Sequence, residues 1–338
     1  MVDKIVRIGI IGCSNVAKKS AIPAIKAVKD AKLISIASRE VEKAKLWASE
    51  NNIEFDNYDS LIERKDIGAV YIPLPIGLHE EWAVRAAENG KHIICEKSLA
   101  ESYTSVKRIV EVCRKNGVVL YENFMCGFHP QHQKVISLMK EGMIGKPLVL
   151  KGYFGFPPMN SSNFRYDKEL GGGSLNDAGA YTVFIARKML GEPIKVTSTF
   201  NMDKENEVDI NGSAILEFAD NKTALISFGF DNVYQNNYSI WGSKGKIKVH
   251  RAFSIPPNLK PMIELITNDG ASEKITDIDI LPANQFQLIF EDFFNTIINQ
   301  DKVRINNIYA EILSQAKIME ALRISHKEDR KVNPDEID

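Results

Sequence analysis

Short apolar runs alternate with helix-length segments through the first third of this 338-residue chain. The runs are VRIGII, KLISIAS, GAVYIPL, KHIICEK and VVLYENF, and a brief further strand is expected around IEF. Continuous apolar strands joined by helices indicate parallel βαβ units with right-handed crossovers, because a parallel sheet is covered on both faces. The sequence therefore predicts an α/β, doubly wound Rossmann domain over residues 1–124.

The pattern changes after Met125. A helix at about 130–141 precedes the strand PLVLKGYFGF, and a polar loop leads to a second helix at about 176–190. Six strands with hairpin-length connections follow, and helices at about 285–299 and 309–326 close the chain. The strands are KVTSTFNM, GSAILEFA, KTALISFGF, NYSIWGS, GKIKVHR and MIELITN. This predicts an α+β domain over residues 125–338 with a large, mostly antiparallel open sheet, and we expect a homodimer or homotetramer through that sheet.

Charge and cysteine content argue against several classes of function. The formal net charge of -1 provides no field that would hold nucleic acid or an anionic membrane. No apolar run approaches the roughly 18 residues that a membrane helix needs. The four cysteines lack paired spacing, and the chain begins without a signal-peptide pattern, so we expect reduced thiols in a cytoplasmic protein.

The first strand runs into the turn GCSNVA, which is similar to the glycine-rich turn of dinucleotide-binding domains. Gly12 can form the tight turn, Ser14 can donate a hydrogen bond to a phosphate, and Ala17 permits close packing of helix on strand. With Asn15 and Val16 they start a helix whose N–H groups and dipole favour a phosphate. The alternative is an ordinary strand-to-helix turn, but the repeated βαβ units favour the cofactor site.

The second strand ends in Ser38 and Arg39, where NAD-specific domains carry an acidic residue. A hydroxyl followed by a guanidinium suits a 2′-phosphate, and the guanidinium can also stack on adenine. NADP(H) is therefore favoured over NAD(H). The alternative is that Arg39 is a helix-entry charge without a ligand.

Two later strand ends carry further candidate groups at the edge where doubly wound sheets bind ligands. YIPLPIGLHEEW places Leu74, Pro75 and His79 there, and KHIICEKSLA places Glu96 and Lys97 there. We expect the first four of these residues to bind the cofactor. Lys97 could donate to a substrate carbonyl.

Taken together, these motifs resemble the Gfo/Idh/MocA family, the glucose–fructose oxidoreductase and inositol dehydrogenase group. The resemblance runs from GIIGCSNVA through SR, PLPIGLH and EKSLA to RYDKELGGGSLNDAGAY, which is nearly the whole chain. Within the family the chain is similar to NADPH-dependent sugar-nucleotide 3-ketoreductases, in its GCSNVAKKSAIPA turn and in a tyrosine where many relatives have histidine. The resemblance implies reduction of a keto-sugar with NADP(H) as cofactor.

The resemblance also implies roles for individual residues. Lys97 matches the lysine of the family's E-K-P motif, which contacts the substrate at the reacting carbon. Asp177 and Tyr181 match the D-x-G-x-x-H/Y helix, and four-residue spacing puts them on one helix face with Tyr181 as proton donor or acceptor. Ser98 replaces the family's proline, so the preceding peptide bond is either trans, with Lys97 aimed differently, or cis.

The loop before that helix supplies the candidate substrate-binding residues. Arg165 and Tyr166 could hold a diphosphate or a sugar, and Asn176 follows at the helix start. The alternative for this loop is a solvated connection. The glycines Gly171–Gly173 are either a flexible floor beside the substrate or simply part of the loop.

Other functions and one other site remain open. His129 and His132 have helical spacing but no carboxylate or cysteine partner at a suitable distance, so no metal is expected. The same active site could oxidise a free sugar, a cyclitol or a dihydrodiol. A cofactor-binding regulator without catalysis is a third possibility, although such a protein need not keep both Lys97 and Tyr181.

Overall fold

The computed structural model describes residues 5–268, 270 and 272–338, and the chain divides into two compact units. The first unit comprises Met1–Met125 and Phe286–Ser314, and the second comprises Cys126–Gln285 and Gln315–Asp338. The domain boundary between residues 124 and 125 stays a prediction. The segment Phe286–Ser314, which that prediction assigns to the C-terminal domain, groups with the first unit.

The first unit is built on a six-stranded parallel sheet with the order β3-β2-β1-β4-β5-β6. Its elements up to the last strand are β1 (Val6–Ile11), α1 (Ile22–Ala27), β2 (Ala31–Ala37), α2 (Val41–Asn51), β3 (Glu54–Asp56), α3 (Tyr58–Glu63), β4 (Ala69–Ile72), α4 (His79–Glu88), β5 (His92–Cys95), α5 (Tyr103–Asn116) and β6 (Leu120–Glu122). The predicted doubly wound fold is confirmed.

Burial explains why these strands read as continuous apolar runs. All four residues of β4 have no exposed surface, although successive side chains of a strand point to opposite faces. In β1, Ile8, Ile10 and Ile11 are likewise fully buried. Both faces of the sheet therefore lie in the core, as parallel sheets require.

The second unit contains an eight-stranded sheet with the order β14-β13-β12-β11-β7-β10-β9-β8. Its elements are α6 (Pro130–Lys140), β7 (Pro147–Gly155), α7 (Ala180–Leu190), β8 (Pro193–Asp203), β9 (Val208–Phe218), β10 (Thr223–Gly229), β11 (Gln235–Gly242), β12 (Gly245–His250), β13 (Met262–Asn268) and β14 (Glu273–Ile278). Every strand pair is antiparallel except β7 with β10, so the predicted sheet type is confirmed. In β11, Tyr238 and Ile240 are buried while Trp241 is 58% exposed, which indicates one covered face.

Two elements differ from the prediction. The edge strand β14 was not expected, because its sequence EKITDI is nearly all exposed and carries one central isoleucine. Of the two closing helices, α8 (Gln285–Asn299) has the predicted bounds, whereas α9 (Lys302–Glu328) begins seven residues before the predicted start at 309. Asn306 and Asn307, which have weak helix propensity, lie in that extra length. Across the described residues, no helix is both long enough and apolar enough to cross a bilayer.

Candidate active site

The turn after β1 brings predicted cofactor residues together. Gly12 has a φ of 124°, a conformation that side chains rarely adopt. A Cβ on Gly12 would lie 2.8 Å from Leu74 Cδ2, so any side chain would collide with the segment after β4. Ser14 Oγ accepts a hydrogen bond from the Ala17 amide at 3.2 Å. Gly12, Ser14 and Ala17 thus share one turn, packed against Leu74.

A helical run begins at Asn15, directly after this turn. Its residues Ala17–Ala21 form a π-helical turn, in which the Ile22 amide donates to the Ala17 carbonyl. π-Helical turns are rare and occur frequently at functional sites. Asn15 is exposed and Val16 is partly exposed at the start of this run, where backbone amides and the helix dipole suit a phosphate.

The end of β2 adjoins the same turn. The Gly12 amide donates to the Ala37 carbonyl at 2.9 Å, and Ser38 and Arg39 follow directly. Ser38 is buried, with its Oγ accepting from the Glu40 amide at 3.2 Å, whereas Arg39 is exposed. This arrangement puts a guanidinium at the sheet edge where the ribose end of a dinucleotide binds in doubly wound folds.

The segment after β5 is fixed by a buried carboxylate. Glu96 Oε1 accepts hydrogen bonds from Tyr71 Oη at 2.6 Å and from Asn123 Nδ2 at 2.5 Å. Burial raises the pKa of the Glu96 carboxyl, although both hydrogen bonds act to lower it. These bonds hold Glu96 inside the first unit, so a contact of its carboxylate with a cofactor stays a prediction.

Lys97 follows Glu96 and is 9% exposed. The Lys97–Ser98 peptide bond is cis, which decides between the two alternatives left open by the sequence. One residue further, the Leu99 amide donates to Glu122 Oε1 at 2.9 Å. Lys97 is therefore held on both sides by hydrogen bonds to neighbouring strands.

His79 is buried at the start of α4. The residue has no exposed surface, and both ring nitrogens lie against backbone carbonyls: Nδ1 is 2.9 Å from the Ser98 oxygen and Nε2 is 2.8 Å from the Leu74 oxygen. Burial lowers the pKa of the imidazole to about 4. Both nitrogens contact backbone carbonyls of the protein itself, and a contact of His79 with the cofactor stays a prediction.

In the second unit, the helix that carries Asp177 and Tyr181 also opens on a π-helical turn. The turn spans Leu175–Gly179, and the Ala180 amide donates to the Leu175 carbonyl. Asp177 lies inside the turn, and Tyr181 is the second residue of α7. Each unit therefore has a π turn among the residues that the sequence singled out.

Asp177 forms an ion pair with Arg165. Arg165 Nε donates to Asp177 Oδ2 at 2.6 Å, and Nη2 lies 3.4 Å from Oδ1, which is a two-pronged contact. Burial acts to lower the pKa of Arg165, but the charge and hydrogen bonds of the Asp177 carboxylate have the larger combined effect. The pKa of Arg165 is therefore raised. The structure thus brings together two predicted site residues that lie 12 positions apart, and their pairing was not predicted.

Tyr181 and Tyr166 belong to one series of aromatic contacts. The Tyr181 ring is 7% exposed and packs edge-on against Phe154, with ring centroids 5.2 Å apart. Phe154 contacts Phe156, Phe156 contacts Phe230, and Phe230 contacts Tyr166. The Tyr166 hydroxyl donates to Asp231 Oδ1 at 3.1 Å.

Asn176 is hydrogen-bonded at both ends of its side-chain amide. Its Nδ2 donates to the Gly171 and Gly172 carbonyls at 3.3 Å, and its Oδ1 accepts from Arg323 Nη2 at 2.5 Å. The residue is 8% exposed. Because both ends of the amide are bonded within the unit, Asn176 supports the glycine segment, and its contact with the substrate stays a prediction.

Those glycines are required by close packing. A Cβ on Gly172 would lie 2.5 Å from the Arg165 carbonyl oxygen, and Gly173 has a φ of 106°. A Cβ on Gly173 would lie 2.4 Å from Asp209 Oδ1. The segment Gly171–Gly173 is thus closely packed, and its glycines let the Arg165 loop and Asp209 approach the helix start.

Asp209 is a residue that the sequence analysis missed. Its Oδ2 accepts from Ser174 Oγ and from the Leu175 amide, both at 2.6 Å. Burial raises the pKa of Asp209, although these bonds act to lower it. The carboxylate holds the first residues of the π turn that contains Asp177. In the sequence, Asp209 is one of several acidic residues between 203 and 209, so nothing there marks it out.

The two candidate metal-binding histidines are buried near β11. His132 Nδ1 lies 3.0 Å from the Tyr238 hydroxyl and its Nε2 lies 2.9 Å from the Ala252 carbonyl oxygen. His129 Nδ1 accepts from the Gln131 amide at 3.2 Å. Within the described part of the chain, no three His, Cys, Asp or Glu side chains are grouped as a metal site would need.

Comparison with known proteins gives matches to both halves of the chain. Residues 6–124 match the family model described as "Oxidoreductase family, NAD-binding Rossmann fold", and residues 132–248 match the GFO/IDH/MocA C-terminal domain. A dTDP-3,4-didehydro-2,6-dideoxy-alpha-D-glucose 3-reductase from Actinomadura kijaniata is 33% identical, over 94% of this chain and 95% of its own. A D-xylose 1-dehydrogenase (NADP(+)) from Haloferax volcanii is 30% identical, over 88% of this chain and 91% of its own.

A solved structure is also similar. It is a 3-ketoreductase from Actinomadura kijaniata in complex with NADP and TDP-benzene. The TM-score is 0.91 at 32% identity, and the similarity covers 95% of this chain and 98% of that one.

Proposed function

The chain belongs to the GFO/IDH/MocA family of oxidoreductases, and on this basis we propose that it reduces a keto-sugar carried by a thymidine diphosphate, with NADPH as cofactor. The observation that carries the proposal is the similarity to the Actinomadura 3-ketoreductase along 95% of the chain. The residues Lys97, Asp177 and Tyr181 stand at the positions that the family motifs require.

The cofactor would be held by the first unit. Gly12 leaves the turn against Leu74 free of a side chain, and the amides from Asn15 onward suit the diphosphate. Ser14 accepts from Ala17, which leaves its hydroxyl proton able to donate to a phosphate oxygen. Arg39 would pair with the 2′-phosphate that distinguishes NADPH from NADH. Val16, Ser38, Pro75 and Glu96 complete the proposed set.

The chemistry requires a hydride and a proton at one carbonyl. NADPH supplies the hydride when bound, and the protein binds and orients the substrate. Tyr181 would donate a proton from its hydroxyl, and Lys97 would donate a hydrogen bond to the substrate. The Asp177–Arg165 pair would fix the start of the Tyr181 helix, and Arg165 and Tyr166 would contact the substrate.

Oxidation of a free sugar is the second candidate, and the Haloferax relative favours it. A panel assay separates the two. The chain should oxidise NADPH with a dTDP-linked 3-keto-sugar and show little NADP+ reduction with xylose or other free aldoses. Turnover confined to free sugars would replace the first proposal by the second, and turnover of neither would contradict both.

We also propose that two copies of this chain associate through the sheet of the second unit. Several apolar side chains are exposed on one face of its strands: Tyr153, Ile215, Leu225, Trp241, Met262 and Ile275. An exposed apolar patch of this kind is typical of an interface. Sedimentation analysis should give a dimer or larger assembly, and Trp241→Glu should shift it towards monomer. A wild-type monomer would contradict this proposal.

The compartment is a further proposal. Cys13, Cys95, Cys113 and Cys126 are free thiols, and three of the four are buried. Unpaired thiols suit a reducing compartment, so we propose that the protein is cytoplasmic. Cell fractionation tests this, and recovery outside the cytoplasm would contradict it.

A further inference from the structure

His79 connects two segments of the first unit that carry proposed site residues. Its Nε2 faces the Leu74 carbonyl, in the segment after β4, and its Nδ1 faces the Ser98 carbonyl, one residue after Lys97. The imidazole has no exposed surface. A fully buried side chain thus contacts both segments directly.

The position of His79 matters because the sheet ladder has already ended. A backbone bond runs from the Glu96 amide, directly after β5, to the Ile72 carbonyl at the end of β4, at 3.0 Å. From there, one segment continues to α4 and the other through Lys97 and Ser98. Since hydrogen bonds to buried carbonyls fix backbone position, the ring connects the two segments beyond that bond.

We propose that His79 is a positioning residue that sets the place of the Lys97 backbone through the Ser98 carbonyl. The inference rests on the proposed function, in which Lys97 contacts the substrate. A neutral imidazole has one N–H, so it donates to one of the two carbonyls at a time. The Ser98 bond is the one that controls Lys97, and the Leu74 bond supports the cofactor segment.

Two conservative variants separate the two bonds. The amide nitrogen of asparagine takes a place close to Nδ1, and that of glutamine takes a place close to Nε2. His79→Asn should therefore keep the Ser98 bond, and His79→Gln should keep the Leu74 bond. His79→Leu removes both.

We expect His79→Leu and His79→Gln to lower kcat by about 10- to 100-fold, since a misplacement near 1 Å can cost about that much. KM for the substrate should change less than kcat. His79→Asn should keep kcat within about threefold of the wild type. Its amide can still donate to the Ser98 carbonyl, so the orientation of Lys97 should change little. His92→Leu is the control: its Nδ1 accepts from the Val119 amide at 2.9 Å in the same sheet, away from Lys97.

A second readout does not depend on activity. In the protein without ligands, hydrogen exchange of the backbone around 96–100 should be faster in His79→Leu than in the wild type. It should be unchanged in His92→Leu. The NADPH dissociation constant and the melting temperature show whether each variant is folded.

These measurements distinguish failure of the positioning role from failure of the proposed function. If folded His79→Leu exchanges normally at 96–100, or if His79→Asn and His79→Gln lose kcat equally, the positioning role is wrong. If the wild type turns over no keto-sugar nucleotide, the proposed function fails, while the exchange measurement still decides whether His79 fixes this segment.

Discussion

The segment around Lys97 and the helix start around Asp177 are held by different kinds of interaction. In the first unit, the neutral ring of His79 lies against two carbonyls. In the second unit, Asp209 holds Ser174 and Leu175, and Arg165 pairs with Asp177. Carboxylates take part in both regions, because Glu122 accepts from the Leu99 amide, but the second region adds an ion pair with a guanidinium.

The largest effects should come from removing one reactive group from each region. Lys97→Ala and Tyr181→Phe should each lower kcat by about two to four orders of magnitude while cofactor affinity stays nearly constant. Steady-state kinetics and NADPH binding measure this. Lys91→Ala is the control for loss of a buried lysine, because its ammonium donates to the backbone carbonyls of Arg64 and Ile67. Unchanged turnover in both site variants would refute the assignment.

Arg39 tests whether a charge in the first unit contributes to cofactor binding. Arg39→Ala should weaken NADPH binding by about 10- to 100-fold, the size of one charge-assisted hydrogen bond of about 1.5–3 kcal/mol. NADH binding should change little, because NADH lacks the 2′-phosphate. Fluorescence titration with both cofactors measures the ratio. An equal loss for both would mean that Arg39 does not contact the phosphate.

Asp209 tests the charged arrangement of the second unit. Asp209→Ala leaves the Ser174 hydroxyl and the buried Leu175 amide without their acceptor and should cost about 1–3 kcal/mol of unfolding free energy. We expect kcat to fall by about tenfold as the π turn shifts. Asp209→Asn retains an oxygen at the same position, so both bonds can persist without the charge. If Asp209→Asn loses as much stability as Asp209→Ala, the negative charge stabilises the turn and the hydrogen bonds do not.

The smallest effect is a change in the pH dependence of stability. Burial lowers the pKa of His79, His92 and His129 to about 4 and that of His132 to about 3. The unfolded state therefore binds more protons between about pH 6.5 and pH 4, and stability should fall as pH falls through that window. The raised pKa values of Glu96 and Asp209 act in the opposite direction.

A single histidine variant isolates one of these contributions. His92→Asn should reduce the slope of unfolding free energy against pH by close to one proton, or about 1.4 kcal/mol per pH unit near pH 5. Denaturant unfolding at several pH values measures the slope. An unchanged slope would show that His92 is not buried in its neutral form.

Much of the fold could be predicted from the sequence because burial determines the pattern of apolar residues along each element. Strands buried on both faces read as continuous apolar runs, and β4 is the clearest case. The exposed edge strand β14 leaves no such run, which is why it was missed. The two π turns could not be predicted, because they depend on packing around their helices rather than on local composition.

Part of the site could also be predicted from the sequence. Strand ends and motifs located Gly12, Arg39 and Lys97, because ligands bind at one edge of a doubly wound sheet. The sequence did contain a sign that His79 is buried. The spacing of His79, Trp82, Ala83 and Ala86 is that of one buried helix face. Asp209 lies 35 residues from Ser174, and only the folded sheet brings the two together.

The most direct test of the account follows the hydride. NADPH that carries deuterium at C4 of the nicotinamide is incubated with the wild-type protein and a dTDP-linked 3-keto-sugar. We expect deuterium on the former carbonyl carbon of the sugar, at a rate that Tyr181→Phe lowers by about two orders of magnitude or more. Reduction without label transfer, or no reduction at all, would contradict the account.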